Sequence, residues 1–223
     1  RVLDVAFQPM TWNWAPIIWG IAALTMIVGS VLAVAQTDIK RLLAYSSVLN
    51  AGYILVGLTA TNTVGIRAAM FYLVSYAVTG IGAFGVVMLV SAKDAEVTGL
   101  DTYRGLARRS PFLAVIMTLF LLSLAGVPPA VGFIAKVEVF SAALHAGNWS
   151  LVLIGVLASV VAAFVYLRVI VLMYMEQPSD EEESDRAVWP RAVLAVPALG
   201  VLVLGVLPGI ILRVIDSASV LRW

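Results

Sequence analysis

SLAGVPPAVGFIAKVEVFSAALHAG occupies residues 123–147, and its reading decides the fold. Counted from Phe112, the apolar segment that contains it runs for about 35 residues. A straight helix of that length would be roughly 52 Å long, whereas the hydrocarbon core of a bilayer is about 30 Å thick. Gly126, Pro128, Pro129 and Gly132 sit near the middle of the segment. Proline removes a backbone donor and clashes with the preceding turn. The segment therefore predicts a helix broken at Pro128/Pro129. Broken backbone at membrane depth persists only where it is buried in protein or lines a wet cavity. In transporters such breaks mark the ion or substrate site.

Lys136 follows the break by about two turns. A lysine at that depth is costly and is a functional residue by default. Burial disfavours the charged form of an amine, so such a lysine can hand on a proton, which is the chemistry of a relay. The competing reading is a structural lysine paired with a neighbouring subunit's carboxylate. The coincidence of charge and break favours the relay. Glu138 lies two residues on, so it points about 200° away around a helix. It is expected to meet another helix, a partner subunit or the water path rather than Lys136. His145 reads as an interfacial histidine near Trp149. Arg168, inside a later apolar run, could snorkel but sits far enough in to be a second buried charge, either structurally paired or on the proton path.

Outward from this stretch, composition agrees. The 223 residues are 62% hydrophobic and 12% charged, against about 25% charged in soluble domains. Net charge is +1, which does not suggest nucleic-acid binding. The chain has no cysteine and one histidine, so disulfides, thiolate zinc sites and cysteine-held iron–sulfur clusters are excluded. A multi-histidine metal or haem site is excluded too. The sequence opens on Arg1 without a signal-peptide pattern, and is expected to be part of a longer protein.

Charged breaks divide the chain into about six apolar segments, at 14–35, 42–60, 66–91, 112–146, 149–175 and 190–215. The fold class is therefore all-α, a polytopic membrane helix bundle read as one domain over 1–223. Loops on one face carry Lys40, Arg41, Lys93, Arg104, Arg108, Arg109, Arg186 and Arg191; the other face holds Arg1, Arg67, Arg213 and Arg222. The richer face is expected to be cytoplasmic, with both chain ends outside. The run Glu181, Glu182 and Glu183 reads as a solvated connector. Trp12, Trp14, Trp19, Trp149, Trp189 and Trp223 fall near segment ends, where interfacial tryptophans belong. Gly80, Gly82 and Gly85 spell G-x-G-x-x-G, but no strand precedes them; close helix packing explains them better than dinucleotide binding. Asp38 reads as a helix cap, with Lys40 and Arg41 as anchors.

Two motifs carry a family resemblance. QTDIKRLLAYSSVLNAGYILVGL at 36–58 and SLAGVPPAVGFIAKVEVF at 123–140 resemble the antiporter-like subunits of the respiratory NADH-quinone oxidoreductase, complex I. DTYRGLARRSP at 101–111 is closer to the subunit N branch. The resemblance covers essentially the whole chain. It implies a parent with two inverted five-helix repeats, of which 12–175 is the second, while 176–223 is the acidic loop and final helix. It implies that Lys136 is the lysine of a broken helix serving the outer half of a proton channel. A lysine there, where subunit M has a glutamate, suits subunit N. Relatives often have histidine where Asn50 stands, and subunits L and M where Tyr76 stands. Neither residue here titrates usefully near pH 7. A hydrated polar path is therefore expected from Tyr45, Ser46, Ser47, Asn50, Tyr72, Ser75, Tyr76 and Thr79.

The function implied is proton translocation in a bacterial inner membrane, driven by redox chemistry elsewhere. NADH, FMN, iron–sulfur clusters and quinone belong to partner subunits, and none is expected in this chain. Other membrane subunits of complex I, neighbouring antiporter-like subunits among them, are the expected partners. The alternatives are a subunit of a multisubunit cation/proton antiporter or membrane-bound hydrogenase, and a non-conducting scaffold. The break with Lys136 argues against the scaffold.

Overall fold

The computed structural model describes residues 11–91, 98–177 and 188–219, with only the backbone at 188–192, 210 and 218–219. The acidic run Glu181, Glu182 and Glu183 lies outside the described residues, as do Arg1, Lys93, Arg186, Arg222 and Trp223. The side chains of Trp189 and Arg191 are likewise outside them.

The described residues are helical, with no strand beyond one isolated bridge between Asp38 and Gly99. The helices are α1 Thr11–Val34, α2 Ile39–Leu58, α3 Thr63–Val90, α4 Leu106–Arg109, α5 Pro111–Ala125, α6 Val131–His145, α7 Trp149–Met175, α8 Val188–Val206 and α9 Gly209–Ser219. α7 begins and ends where its sequence segment does, and the first three helices start three residues early. Polar side chains set two of those starts. The Asp38 carboxylate accepts from the Arg41 amide at 2.9 Å, and the Asn62 carbonyl from the Gly65 amide at 2.8 Å. Such caps satisfy donors that a helix N-terminus leaves free.

Among the described residues, four helices are long and apolar enough to cross a membrane, α1, α2, α3 and α7. The 112–146 segment is two helices of 15 residues, each about 22 Å long, too short to span alone. The last segment, expected as one helix, is two, bent by 81°. Pro208 sits at that bend, where its missing N–H interrupts the ladder. Among the described residues, length and composition support four spans, or five counting the bent pair, and do not confirm the expected six.

α6 packs against α2, α3, α5, α7 and α8. Glycines let its neighbours close in. A Cβ on Gly82 would strike the Phe120 ring of α5, and one on Gly85 would lie 2.7 Å from Leu194 of α8. Gly82 and Gly85 of the G-x-G-x-x-G run are packing positions, while Gly80 meets only Tyr76 of its own helix.

The stretch before α5 is more ordered than a plain loop. A 3-10 turn, Leu100–Tyr103, and α4 bury Leu100, Tyr103 and Leu106 against the core. Gly105 supplies a left-handed backbone, φ 63°, which only glycine adopts without cost. Its amide bonds the Leu172 carbonyl of α7 at 3.1 Å, and the Leu100 amide bonds the Thr37 carbonyl at 2.8 Å. Arg104 pairs with Asp101 and with Glu176 beyond α7. Burial alone would push the Asp38 carboxyl up. Hydrogen bonds from Thr98 and the Arg41 and Lys40 amides, with the Arg41 charge, outweigh it and hold Asp38 below its ordinary value. Burial, with the Asp38 charge, pushes the Tyr103 phenol up.

Candidate functional site

The site grows from the way α5 ends. Gly126 takes φ 84°, the left-handed cap that closes many helices. Its amide bonds the Leu122 and Ser123 carbonyls, and the Val127 amide bonds Leu122, all at 3.0 Å. Those bonds leave the Leu124 and Ala125 carbonyls for another donor. Lys136 of α6 reaches back to them. Its Nζ donates to the Leu124 oxygen at 3.0 Å, the Ala125 oxygen at 2.8 Å and the Ser159 hydroxyl of α7 at 2.7 Å. An ammonium has three N–H bonds, and here each meets an acceptor. The negative end of the α5 dipole faces the same charge. Nζ also lies 5.1 Å from the centre of the Tyr53 ring, within cation–π range. Lys136 is only 6% exposed.

The break is closed in by backbone. A Cβ on Gly132 would run into the Ser123 carbonyl, and one on Gly205 of α8 into the Pro129 carbonyl. The Pro128–Pro129 peptide is cis. Irregular backbone at membrane depth needs this kind of enclosure.

A row of polar side chains lies beside the break, without a hydrogen bond to Lys136 among the described residues. Ser46 bonds the Tyr166 hydroxyl of α7. The Asn50 amide donates to the Ser46 carbonyl at 2.8 Å and to its hydroxyl at 3.2 Å, and its oxygen accepts from Tyr72 at 2.7 Å. Tyr76 donates to Ser47 at 2.6 Å. Thr79 lies 3.2 Å from Ser123, whose hydroxyl accepts from the Gly132 amide at 3.3 Å. Between these groups is a cavity of about 10 Å³, lined by Asn50, Tyr72, Ser75, Tyr76, Thr79 and Ser123. That is the threshold for one water, and the lining offers the polar partners a water requires.

Of the expected path residues, Ser46, Ser47, Asn50, Tyr72, Ser75, Tyr76 and Thr79 gather here. Tyr45 packs half-buried against apolar neighbours and makes no hydrogen bond among the described residues. Glu138 is half-buried, turned from Lys136 and without a bonded partner among them. Arg168 is exposed and donates to the Val34 carbonyl at the end of α1, at 3.4 Å. Of the two placements expected, this is the snorkelling one: its long stem carries the guanidinium out to a carbonyl at a helix end. His145 is exposed and bonds the Ser141 carbonyl at 2.7 Å.

Tyr53, Ser123, Ser159 and Tyr166 escape the sequence reading. Ser159 and Tyr166 carried a usable signal. They stand seven apart on α7, hence on one face, in a helix otherwise nearly all apolar. Their partners on α2 and α6 are known only from the packing.

The pattern of the family described as "NADH:quinone oxidoreductase/Mrp antiporter, TM" matches residues 1–162. NADH-quinone oxidoreductase subunit N of Rhodococcus opacus is 46% identical over 99% of this chain and 41% of its own length. Subunit N of Thermobifida fusca is 49% identical over 96% of the chain and 40% of its own. The chain thus spans about two fifths of these relatives. Among solved structures, a chain of respiratory complex I from Thermus thermophilus superposes with a TM-score of 0.77 at 32% identity, covering 89% of this chain and 45% of that one. A chain of the Mrp complex from Dietzia sp. reaches 0.84 at 20% identity, covering 98% and 49%, a likeness of fold alone. With 162 of its 223 residues inside the family pattern and relatives near half identity along its length, the chain belongs to the NADH:quinone oxidoreductase/Mrp antiporter transmembrane family.

Proposed function

We propose that this chain is a proton-translocating part of a complex I membrane arm, with Lys136 as its relay. The observation that carries the reading is the buried ammonium at the helix break, its three donors matched to Leu124, Ala125 and Ser159. A lysine held only by uncharged acceptors can lose its proton without stranding a buried carboxylate. The row from Tyr166 through Ser46 and Asn50 to Tyr72 supplies hydroxyl and amide groups on one side of it. The relatives named NADH-quinone oxidoreductase subunit N support complex I over an antiporter or hydrogenase.

In this reading residues 12–175 form one five-helix repeat, and 176–223 a connector and the final helical segment. The face with Lys40, Arg104 and Glu182 is cytoplasmic. α6 then runs outward from the break, and Lys136 serves the outer half of the path. NADH, FMN, iron–sulfur clusters and quinone reside in partner subunits, whose redox chemistry drives the lysine.

The test is proton translocation in vesicles holding the assembled complex, wild type against Lys136→Ala, with subunit content checked. Loss of more than about tenfold is expected, the range one positioned proton-transfer group contributes. Lys136→Arg is expected to restore little, because arginine keeps its proton. Full coupled pumping by an assembled Lys136→Ala complex overturns the proposal.

A further inference from the structure

Of the three acceptors on Lys136, two are backbone carbonyls. A carbonyl accepts a hydrogen bond but has no proton of its own to give. The third, the Ser159 hydroxyl, does both. It is the one acceptor of the ammonium able to take a proton while releasing another. Tyr53 stands over the same Nζ, its ring centre 5.1 Å away, and its hydroxyl donates to the Gly155 carbonyl at 3.3 Å, one turn before Ser159 on α7, so amine, serine and phenol cluster at one place on that helix. From Ser159, Gly155 lies along α7 toward Trp149. In the orientation proposed above, that direction is outward.

Beyond Tyr53 the route is packed shut. Phe140, one turn after Lys136 on α6, meets the Tyr53 ring edge-on at 5.8 Å. A Cβ on Gly155 would lie 2.7 Å from Phe140. The hydroxyl pair thus sits between the relay lysine and an apolar seal.

We infer that Ser159 positions Lys136 and passes its proton outward to Tyr53, a role that rests on the relay reading of Lys136. The transfer balances. An Nζ–H bond breaks as Ser159 Oγ takes the proton, and the serine's own proton moves to the Tyr53 oxygen. Tyr53 releases its proton to a water that reaches it from the outer side when the Phe140 packing opens. The amine ends neutral, one proton has left, and both hydroxyls are unchanged.

The experiment uses the assembled complex in vesicles and reads translocation and its pH profile for Ser159→Ala, Ser159→Thr, Tyr53→Phe and Lys136→Ala. Ser159→Ala is expected to slow translocation roughly tenfold, the scale of one hydrogen bond to a charged group. Its pH profile is displaced, because the ammonium has lost an acceptor. Ser159→Thr, which keeps the hydroxyl, restores both rate and profile. Tyr53→Phe keeps the ring over Nζ but not the hydroxyl, and slows translocation as Ser159→Ala does. If Ser159→Ala does not assemble, Ser159→Cys, of similar size with weaker hydrogen bonding, carries the same expectation. Wild-type rate and profile in Ser159→Ala, beside a failing Lys136→Ala, overturn this inference and leave the relay standing. Wild-type rate in Tyr53→Phe overturns the outward step. Wild-type rate in Lys136→Ala overturns both readings.

Discussion

Two apolar segments of this chain are interrupted at proline, and they come out differently. At the first, between α5 and α6, the loose carbonyls of Leu124 and Ala125 face inward and hold a buried cation. Backbone closes over it, through Gly132 on Ser123 and Gly205 on Pro129. At the second, between α8 and α9, Leu207 is 55% exposed and Gly209 has open space where a Cβ would stand. The charged pair that α9 makes further along, Arg67 with Asp216 at 3.1 Å, has side chains 40% and 52% exposed. Proline breaks a helix in either setting. A site forms only where the freed backbone is enclosed and a side chain answers it.

This contrast can be broken by matched substitutions. Gly132→Ala is expected to have the largest effect on assembly. Its methyl meets a carbonyl rather than a flexible side chain, and overpacking of that kind costs about 1–3 kcal/mol or more. The yield of assembled complex should fall sharply. Gly209→Ala, at the second break, should leave the yield within about 0.5 kcal/mol of wild type. Equal yields would dissolve the difference between the breaks.

Asn50→Leu tests whether the first break is continuous with the polar row. It removes the link between Ser46 and Tyr72 and strands the Tyr72 hydroxyl, an unsatisfied buried group worth about 1–3 kcal/mol. Translocation should fall several-fold in complexes of normal subunit content. Unchanged translocation would separate the row from the lysine.

A smaller effect is expected at Asp38, which ties α2 to Thr98. Asp38→Ala removes a helix cap and should cost about 1 kcal/mol in thermal stability. Because the folded carboxyl lies below its ordinary value of 3.8, its contribution is complete above that value. It is lost as pH falls through the folded value. Asp38→Asn should flatten that acid limb in a melting series against pH.

The smallest effect belongs to the cation paired with α9. Arg67→Gln should shift stability by no more than about 1 kcal/mol, since exposed pairs contribute little. It should leave translocation unchanged, in contrast to Lys136→Ala. A loss of pumping in Arg67→Gln would mean that α9 belongs to the path.

Much of this protein was legible in its residues. Length, apolar runs and the Pro128/Pro129 interruption determined a helical membrane bundle, because hydrocarbon leaves backbone amides no partner outside their own helix. Lys136 was legible because a lysine at that depth needs a reason. The Asp38 cap and the Asn50, Tyr72, Tyr76 set were legible from position and from motif. The partners were not. Nothing in the order of residues says that Ser159, 23 positions away, is the hydroxyl beside Nζ. Nor does it say that Tyr166 of α7 meets Ser46 of α2, or that Arg168 reaches the end of α1 instead of the interior. Those facts depend on how helices rotate and cross. Rotation is set by where glycines admit close approach, as at Gly82, Gly132 and Gly205. Hydropathy and local spacing act within one segment, whereas packing is a relation between segments. Only the tertiary structure brings α2, α5, α6 and α7 around a single amine.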